Sequence, residues 1–216
     1  MQEIVIYGGG GFAREVAWLV ESCNRSEPRY RVVCFVDDDE RKQGRRLNDI
    51  PVLSLAEARS TFPAARVVSG IGWPGPRKAT CEKAAAAGFR FETIIHPGVE
   101  RSRWIEIGEG VVICAGCILT TNIRLGKQVQ INLDCTIGHD VIVGDYTSLA
   151  PGVHVSGCVH IGKEVYIGTG ATIINGTQEA PLVIGDGAII GAGACVVKSI
   201  PPGVTAVGVP AKPLTR

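Results

Sequence analysis

From about residue 104 an aliphatic side chain returns at every sixth position. Ile107, Ile113, Leu119, Leu125, Ile131, Ile137, Val143, Leu149, Val155, Ile161, Ile167 and Ile173 follow one another without a gap. A fixed short period held over twelve repeats marks a solenoid, in which each coil buries its apolar positions against its neighbours. The positions four residues further on, among them Val111, Cys117, Ile123, Val129, Cys135, Val141 and Val153, are also small or aliphatic, as interior corners require. The pattern stops after Ile173, where NGTQEAPL (175–182) inserts a loop, and resumes at Ile184, Ile190 and Val196.

The first 94 residues follow a different rule. EIVIY (3–7), RVVCFV (31–36) and RVVSGI (66–71) read as buried strands. Between them lie helical patterns: Ala13, Val16, Ala17 and Val20 with Asn24 as a stop, a short helix over LAEARSTF (55–62), and PRKATCEKAAAAG (76–88) with proline near its start and Gly88 past its end. Strands alternating with helices predict a small parallel sheet with helices packed on it. Two domains are therefore expected, an α/β domain over 1–97 and a repeat domain over 98–216 that ends in a C-terminal tail.

Bulk composition narrows the partners. The formal net charge is +1 and the basic residues form no run, so neither nucleic acid nor an anionic membrane surface is an expected partner. No stretch approaches the ~20 apolar residues that span a bilayer, and MQEIVIYGGGG carries no leader pattern. The expected location is cytoplasmic. The eight scattered cysteines are expected to be reduced thiols. Cys114 and Cys117 form one CxxC, but no second pair or nearby histidine completes four ligands, and Cys117 falls on a buried repeat position, so both read as core residues.

The repeat resembles that of the hexapeptide-repeat acyltransferases. IYGGGGFAREV (6–16), DDD (37–39), IIHPGV (94–99), IGHDVIVGD (137–145) and VGVPAKP (207–213) are similar to the two-domain branch of that family. This branch holds the bacterial nucleotide-activated amino-sugar N-acetyltransferases and the sialic acid O-acetyltransferases. The resemblance implies a left-handed parallel β-helix with three hexapeptides per triangular coil, preceded by a small Rossmann-like domain. It further implies acetyl-CoA as co-substrate, no metal, and a homotrimer with its active site between subunits.

With eighteen residues per coil, Thr121, His139, Gly157 and Asn175 stack in one column, and the inserted loop begins at its last member. His139 stands two residues after a buried aliphatic and points outward, beside a glycine that leaves open backbone and room for a ligand. An imidazole beside a carboxylate suits general-base catalysis, because histidine titrates near neutrality and the carboxylate holds its tautomer. By resemblance His139 is the base, Asp140 its partner, and the Gly157 amide a donor to the acetyl oxygen as charge develops there. Many relatives carry a second histidine nine residues beyond the base; here that position is Ser148, whose hydroxyl still offers a hydrogen bond. Thr169 and Ala192 fall where related proteins contact CoA through backbone atoms. The bland alternative for His139 is a solvated histidine on a strand.

The remaining histidines read differently. His96 precedes Pro97 where the two patterns change over, and reads as structural. His154 and His160 lie three residues either side of Gly157, about 10 Å away at strand rise. Within one chain they do not converge with His139 on a metal, which counts against the zinc-dependent carbonic anhydrase activity that the fold also hosts.

YGGGGFA places Gly8, Gly10 and Ala13 between a strand and a helix, with Asp37 at the end of the second strand. Such a loop lets helix N-terminal amides approach a pyrophosphate while the acidic residue meets a ribose or base. In the similar acetyltransferases this domain binds the nucleotide-sugar acceptor, which assigns Gly9, Gly10, Phe12, Asp37, Asp38, Gly72 and Trp73 to acceptor contacts. The alternative is a tight strand-to-helix turn with no ligand. A Gly-Asn pair often follows the third strand in that family; here the stretch reads GIGWPG, with Trp73 in place of the amide.

Three readings stay open at this point. The first is N-acetylation of a nucleotide-linked amino-deoxy-sugar; the second is O-acetylation of a sialic-acid-type hydroxyl. The third, from another class, is a non-catalytic nucleotide-sugar-binding scaffold.

Overall fold

A computed structural model describes residues 1–214; the last two residues of the expected C-terminal tail lie outside the described residues. The chain divides into two compact units, the first ending at Pro97 and the second beginning at Gly98.

In the first unit, strands β1 (Gln2–Tyr7), β2 (Tyr30–Val36), β3 (Arg46–Leu47), β4 (Ile50–Leu53), β5 (Arg66–Ser69) and β6 (Arg90–Phe91) form one sheet in the order β3-β4-β2-β1-β5-β6. All its pairings are parallel except β3 with β4. Ile4 to Tyr7 are all buried, as a central parallel strand covered on both faces must be. Helix α1 (Gly11–Cys23) buries Ala13, Val16, Ala17 and Val20, the stripe read from the sequence, and its C-cap is Asn24. Helix α2 (Leu55–Thr61) starts on a capping box in which Ser54 and Glu57 satisfy each other's backbone N–H. Helix α3 (Pro74–Ala86) begins at Pro74, two residues ahead of the expected start.

The hairpin β3–β4 was not read from the sequence. Its turn is Asn48–Asp49, both in the left-handed region at φ 46° and 61°, the geometry of a two-residue hairpin loop. Pro51 inside β4 hides the strand signal. The expected third strand also runs two residues too far. Gly70 lies beyond β5, and a Cβ there would come within 2.6 Å of the Ala13 backbone, so helix and strand touch at this point.

The second unit is a left-handed parallel β-helix. Two- and three-residue strands repeat on three faces with an eighteen-residue register: Val112, Gln130, Ser148 and Tyr166 on the first, Ile118, Thr136, His154 and Thr172 on the second, Arg124, Ile142 and His160 on the third. From Ile113 to Ile173 every sixth-position aliphatic is buried, and each contributes about 1.5–3 kcal/mol of transfer free energy. Ile107 is the exception, half-buried rather than buried, because its strand is the last in its face and no coil lies beyond it. The interior corner column is buried throughout, Thr147 included; its hydroxyl donates to the Gly162 carbonyl at 2.7 Å and accepts from the Val165 amide at 3.1 Å. Cys114 and Cys117 are core residues, and none of the eight cysteines, all within the described residues, forms a disulfide. Burial pushes the Cys34 thiol up to about 12, so this thiol is protonated at neutral pH.

A second six-residue rhythm lies under the first. Residues 110, 116, 122, 128, 134, 140, 146, 152, 158, 164 and 170 all have positive φ, between 55° and 75°. One left-handed residue per corner turns the chain onto the next face. After Ile173 the register widens from eighteen to twenty-three residues, Ile161 pairing with Ile184, and the surplus forms the 175–182 loop.

Candidate active site

His139 and Asp140 occupy the corner between strands Thr136–Ile137 and Ile142–Val143. The expected column forms: the Asp140 amide donates to the Thr121 carbonyl, Cys158 to His139, and Gly176 to Gly157. The His139 side chain is 59% exposed and that of Asp140 31%. Asp140 is one of the left-handed corner residues, φ 58°, and its carboxylate turns back onto the preceding imidazole. His139 Nδ1 and Asp140 Oδ2 stand 2.8 Å apart.

Three side chains fix that carboxylate. Asn122 Nδ2 donates to Asp140 Oδ1 at 3.3 Å, and Gln178 from the inserted loop donates as well. The hydrogen bond with His139, then those from Asn122 and Gln178, hold the Asp140 carboxyl below the usual carboxylate range. An ionised Asp140 accepts from Nδ1–H, which leaves the lone pair on Nε2. Nε2 lies over Gly157: a Cβ on that residue would stand 2.5 Å from both Nε2 and Cε1. The Gly157 amide makes no hydrogen bond among the described residues. An imidazole lone pair and a backbone donor thus share one corner.

The other expected cofactor contacts lie elsewhere on the coil. Ser148 is buried on the first face, at 4% exposure. Thr169 and Ala192 are exposed and stacked at the corner that follows that face, where the Gly193 amide bonds the Thr169 carbonyl. The His139 corner follows the second face, so the chain does not gather these three residues around His139. His154 bonds Thr136 at 2.9 Å and does not join the His139 cluster.

In the first unit, Gly9, Gly10, Phe12, Asp37, Asp38, Gly72 and Trp73 all line one cleft of about 450 Å³. The N-cap of α1 is Gly10, with no side-chain cap and no acidic residue in the first turn, so the helix presents open amides to the cleft. Asp37 is already occupied: its carboxylate accepts from the Gly9 amide, the Asp39 amide and Lys42 Nζ at 2.8–2.9 Å. Its first task is to shape the glycine loop. Burial would raise the Asp38 carboxyl, but hydrogen bonds from Lys83 and from the Tyr7 hydroxyl outweigh this and hold it low. Burial and Asp38 together raise Tyr7, which stays a hydrogen-bond donor at physiological pH. Tyr7, Lys42 and Thr80 line the cleft too and were not read from the sequence; their placement there depends on the sheet order.

A family profile described as the PglD N-terminal domain matches residues 3–84. Over 98% of this chain and 96% of its own length, a GDP-perosamine N-acetyltransferase of Escherichia coli O157:H7 is 34% identical. The chain belongs to this N-acetyltransferase family. The solved perosamine N-acetyltransferase of Caulobacter crescentus, a histidine-to-asparagine variant in complex with CoA and GDP-perosamine, superposes on the family member described here with a TM-score of 0.89. It is 31% identical, over 100% of this chain and 98% of that one. The acetyltransferase domain of PglB from Neisseria gonorrhoeae FA1090, solved with acetyl coenzyme A, gives 0.85 at 32% identity over 99% of each chain. This N-acetyltransferase is an acetyl-CoA-dependent acyltransferase of the two-domain hexapeptide branch. Among its described residues no helix is long and apolar enough to cross a membrane.

Proposed function

We propose that this N-acetyltransferase moves the acetyl group of acetyl-CoA onto the amino group of a nucleotide-linked amino-deoxy-sugar of the GDP-perosamine kind, with His139 as general base. The observation that carries the reading is the His139 corner, where Nδ1 is held by an anchored carboxylate and Nε2 lies over Gly157. The sugar amine attacks the thioester carbonyl carbon while Nε2 takes its proton, and Asp140 stabilises the imidazolium that results. The Gly157 N–H meets the oxygen as it becomes an oxyanion. On collapse the C–S bond breaks, the thiolate leaves and recovers the proton from His139. Products are the N-acetyl sugar and CoA thiol.

The first unit then holds the acceptor: diphosphate oxygens at the open N-terminus of α1, and the base or sugar against Trp73, which is 46% exposed. Ser148, Thr169 and Ala192 serve the cofactor. Because they sit away from the His139 corner within one chain, their joint use asks for a second copy, and a homotrimer with sites between subunits is the assembly we infer. The free thiols fit a cytoplasmic setting.

The test is thiol release from acetyl-CoA against GDP-, UDP- and dTDP-linked amino-sugars and free sialic acid. Release with an amino-sugar nucleotide supports the reading and names the acceptor. Release with sialic acid alone replaces it by O-acetylation, and absence of CoA binding replaces it by the scaffold.

A further inference from the structure

The corner that carries His139 holds one group that the transfer reaction does not use. Cys158 is the left-handed corner residue one coil above Asp140, at φ 56°. It is buried, at 6% exposure, beside an exposed imidazole and a partly buried carboxylate. One nitrogen of His139, one oxygen of Asp140 and Cys158 Sγ all lie within 4.8 Å of one another. Among the described residues no other group of three such side chains comes together in this way.

We propose that a thiophilic divalent cation of the zinc type binds across His139, Asp140 and Cys158 and reversibly blocks the enzyme. The donor set decides the class of ion. Thiolate sulfur and imidazole nitrogen with one carboxylate oxygen suit Zn²⁺ or Co²⁺, whereas Mg²⁺ and Ca²⁺ take oxygen ligands. Metal–sulfur bonds of about 2.3 Å and metal–nitrogen bonds of about 2.0 Å bring tetrahedral donors to roughly 3.3–3.6 Å from one another. With all three atoms inside 4.8 Å, no pair needs to close by more than about 1.5 Å to reach that spacing. The His139 side chain, more exposed than that of Asp140, has the freedom to supply that movement. A small ion enters from their side, the buried thiol loses its proton to solvent on binding, and the fourth position stays open to water. Asn122 and Gln178 already anchor Asp140 and give the site an outer shell.

Cation binding stands on this geometry alone. Its inhibitory effect rests on the reading of His139 as the base, because a ligated imidazole cannot accept the amine proton.

The experiment titrates the full-length protein, free of metal, with Co²⁺ and then Zn²⁺, and follows acetyl transfer in parallel. The wild type is expected to bind one Co²⁺ per chain with a near-ultraviolet thiolate-to-cobalt band that Zn²⁺ displaces. Cys158→Ser and Cys158→Asn should both lose the band and weaken binding on the order of 100-fold. The Asn variant tolerates the left-handed backbone and guards against a folding artefact. Zn²⁺ at a concentration that halves wild-type turnover should leave each variant at its own metal-free rate, and a chelator should restore the wild type. Absence of the band in the wild type, or its persistence in both variants, would overturn the site. A Cys158-dependent band with transfer untouched by Zn²⁺ would leave the site standing and overturn His139 as the base.

Discussion

Gly157 is where backbone economy and the chemistry we propose meet at a single residue. Any side chain there would enter the His139 ring, at 2.5 Å for a mere Cβ. Gly157→Ala is therefore expected to displace the imidazole and cut kcat by ~10²-fold, as a misplacement near 1 Å can, with circular dichroism unchanged. Wild-type turnover in this variant would show that the ring position is unimportant. Asp140→Asn keeps the shape but removes the charge opposite the imidazolium, and a fall in kcat smaller than that of a His139 deletion is the expected result. Turnover equal to wild type would make Asp140 a bystander. At this scale the eighteen-residue step made the pairing of His139 with Gly157 legible. The same step puts Asn122 one coil before Asp140 and Cys158 one coil after it, so both neighbours were within reach of the sequence. Gln178 was not, because it reaches Asp140 from the loop that breaks the period.

Individual coils show what the period fixes and what it omits. Spacing identified the buried aliphatics, and their burial makes a clear energetic claim. Ile137→Ala removes a side chain at 1% exposure and should cost about 2–5 kcal/mol in denaturant unfolding. Ile107→Ala, half-buried on the last strand of its face, should cost roughly 1 kcal/mol. Equal losses at the two sites would contradict the stacked-coil account of the core. The left-handed corner rhythm was not legible, since Asn122, Gln128, Asp134, Tyr146, Cys158 and Glu164 share no side-chain property; what they share is a backbone duty. Gly170 performs it at φ 69°, with open space where an added Cβ would stand. Gly170→Ala should then lose about 1–2 kcal/mol to backbone conformation alone, and an unchanged unfolding midpoint would argue against that strain. The β3–β4 hairpin escaped for a related reason, its strand signal being masked by Pro51 while its turn rests on Asn48 and Asp49.

For the whole molecule, the glycine-loop cleft and the His139–Asp140 corner lie on separate compact units of one chain. The change of sequence period near residue 97 announces that division, whereas the trimer we propose is silent in the period and is inferred from the distribution of Ser148, Thr169 and Ala192 away from His139. Light scattering should return three times the 22.8 kDa chain mass, and a single-chain mass would remove the shared site. The account as a whole depends on one proton transfer. Thiol release from acetyl-CoA with GDP-perosamine as acceptor, compared between wild type and His139→Ala of equal secondary structure, measures that transfer most directly. The expected result is turnover by the wild type and a kcat lower by ~10²–10⁴-fold in the variant; equal turnover would contradict the assignment of His139 as the base.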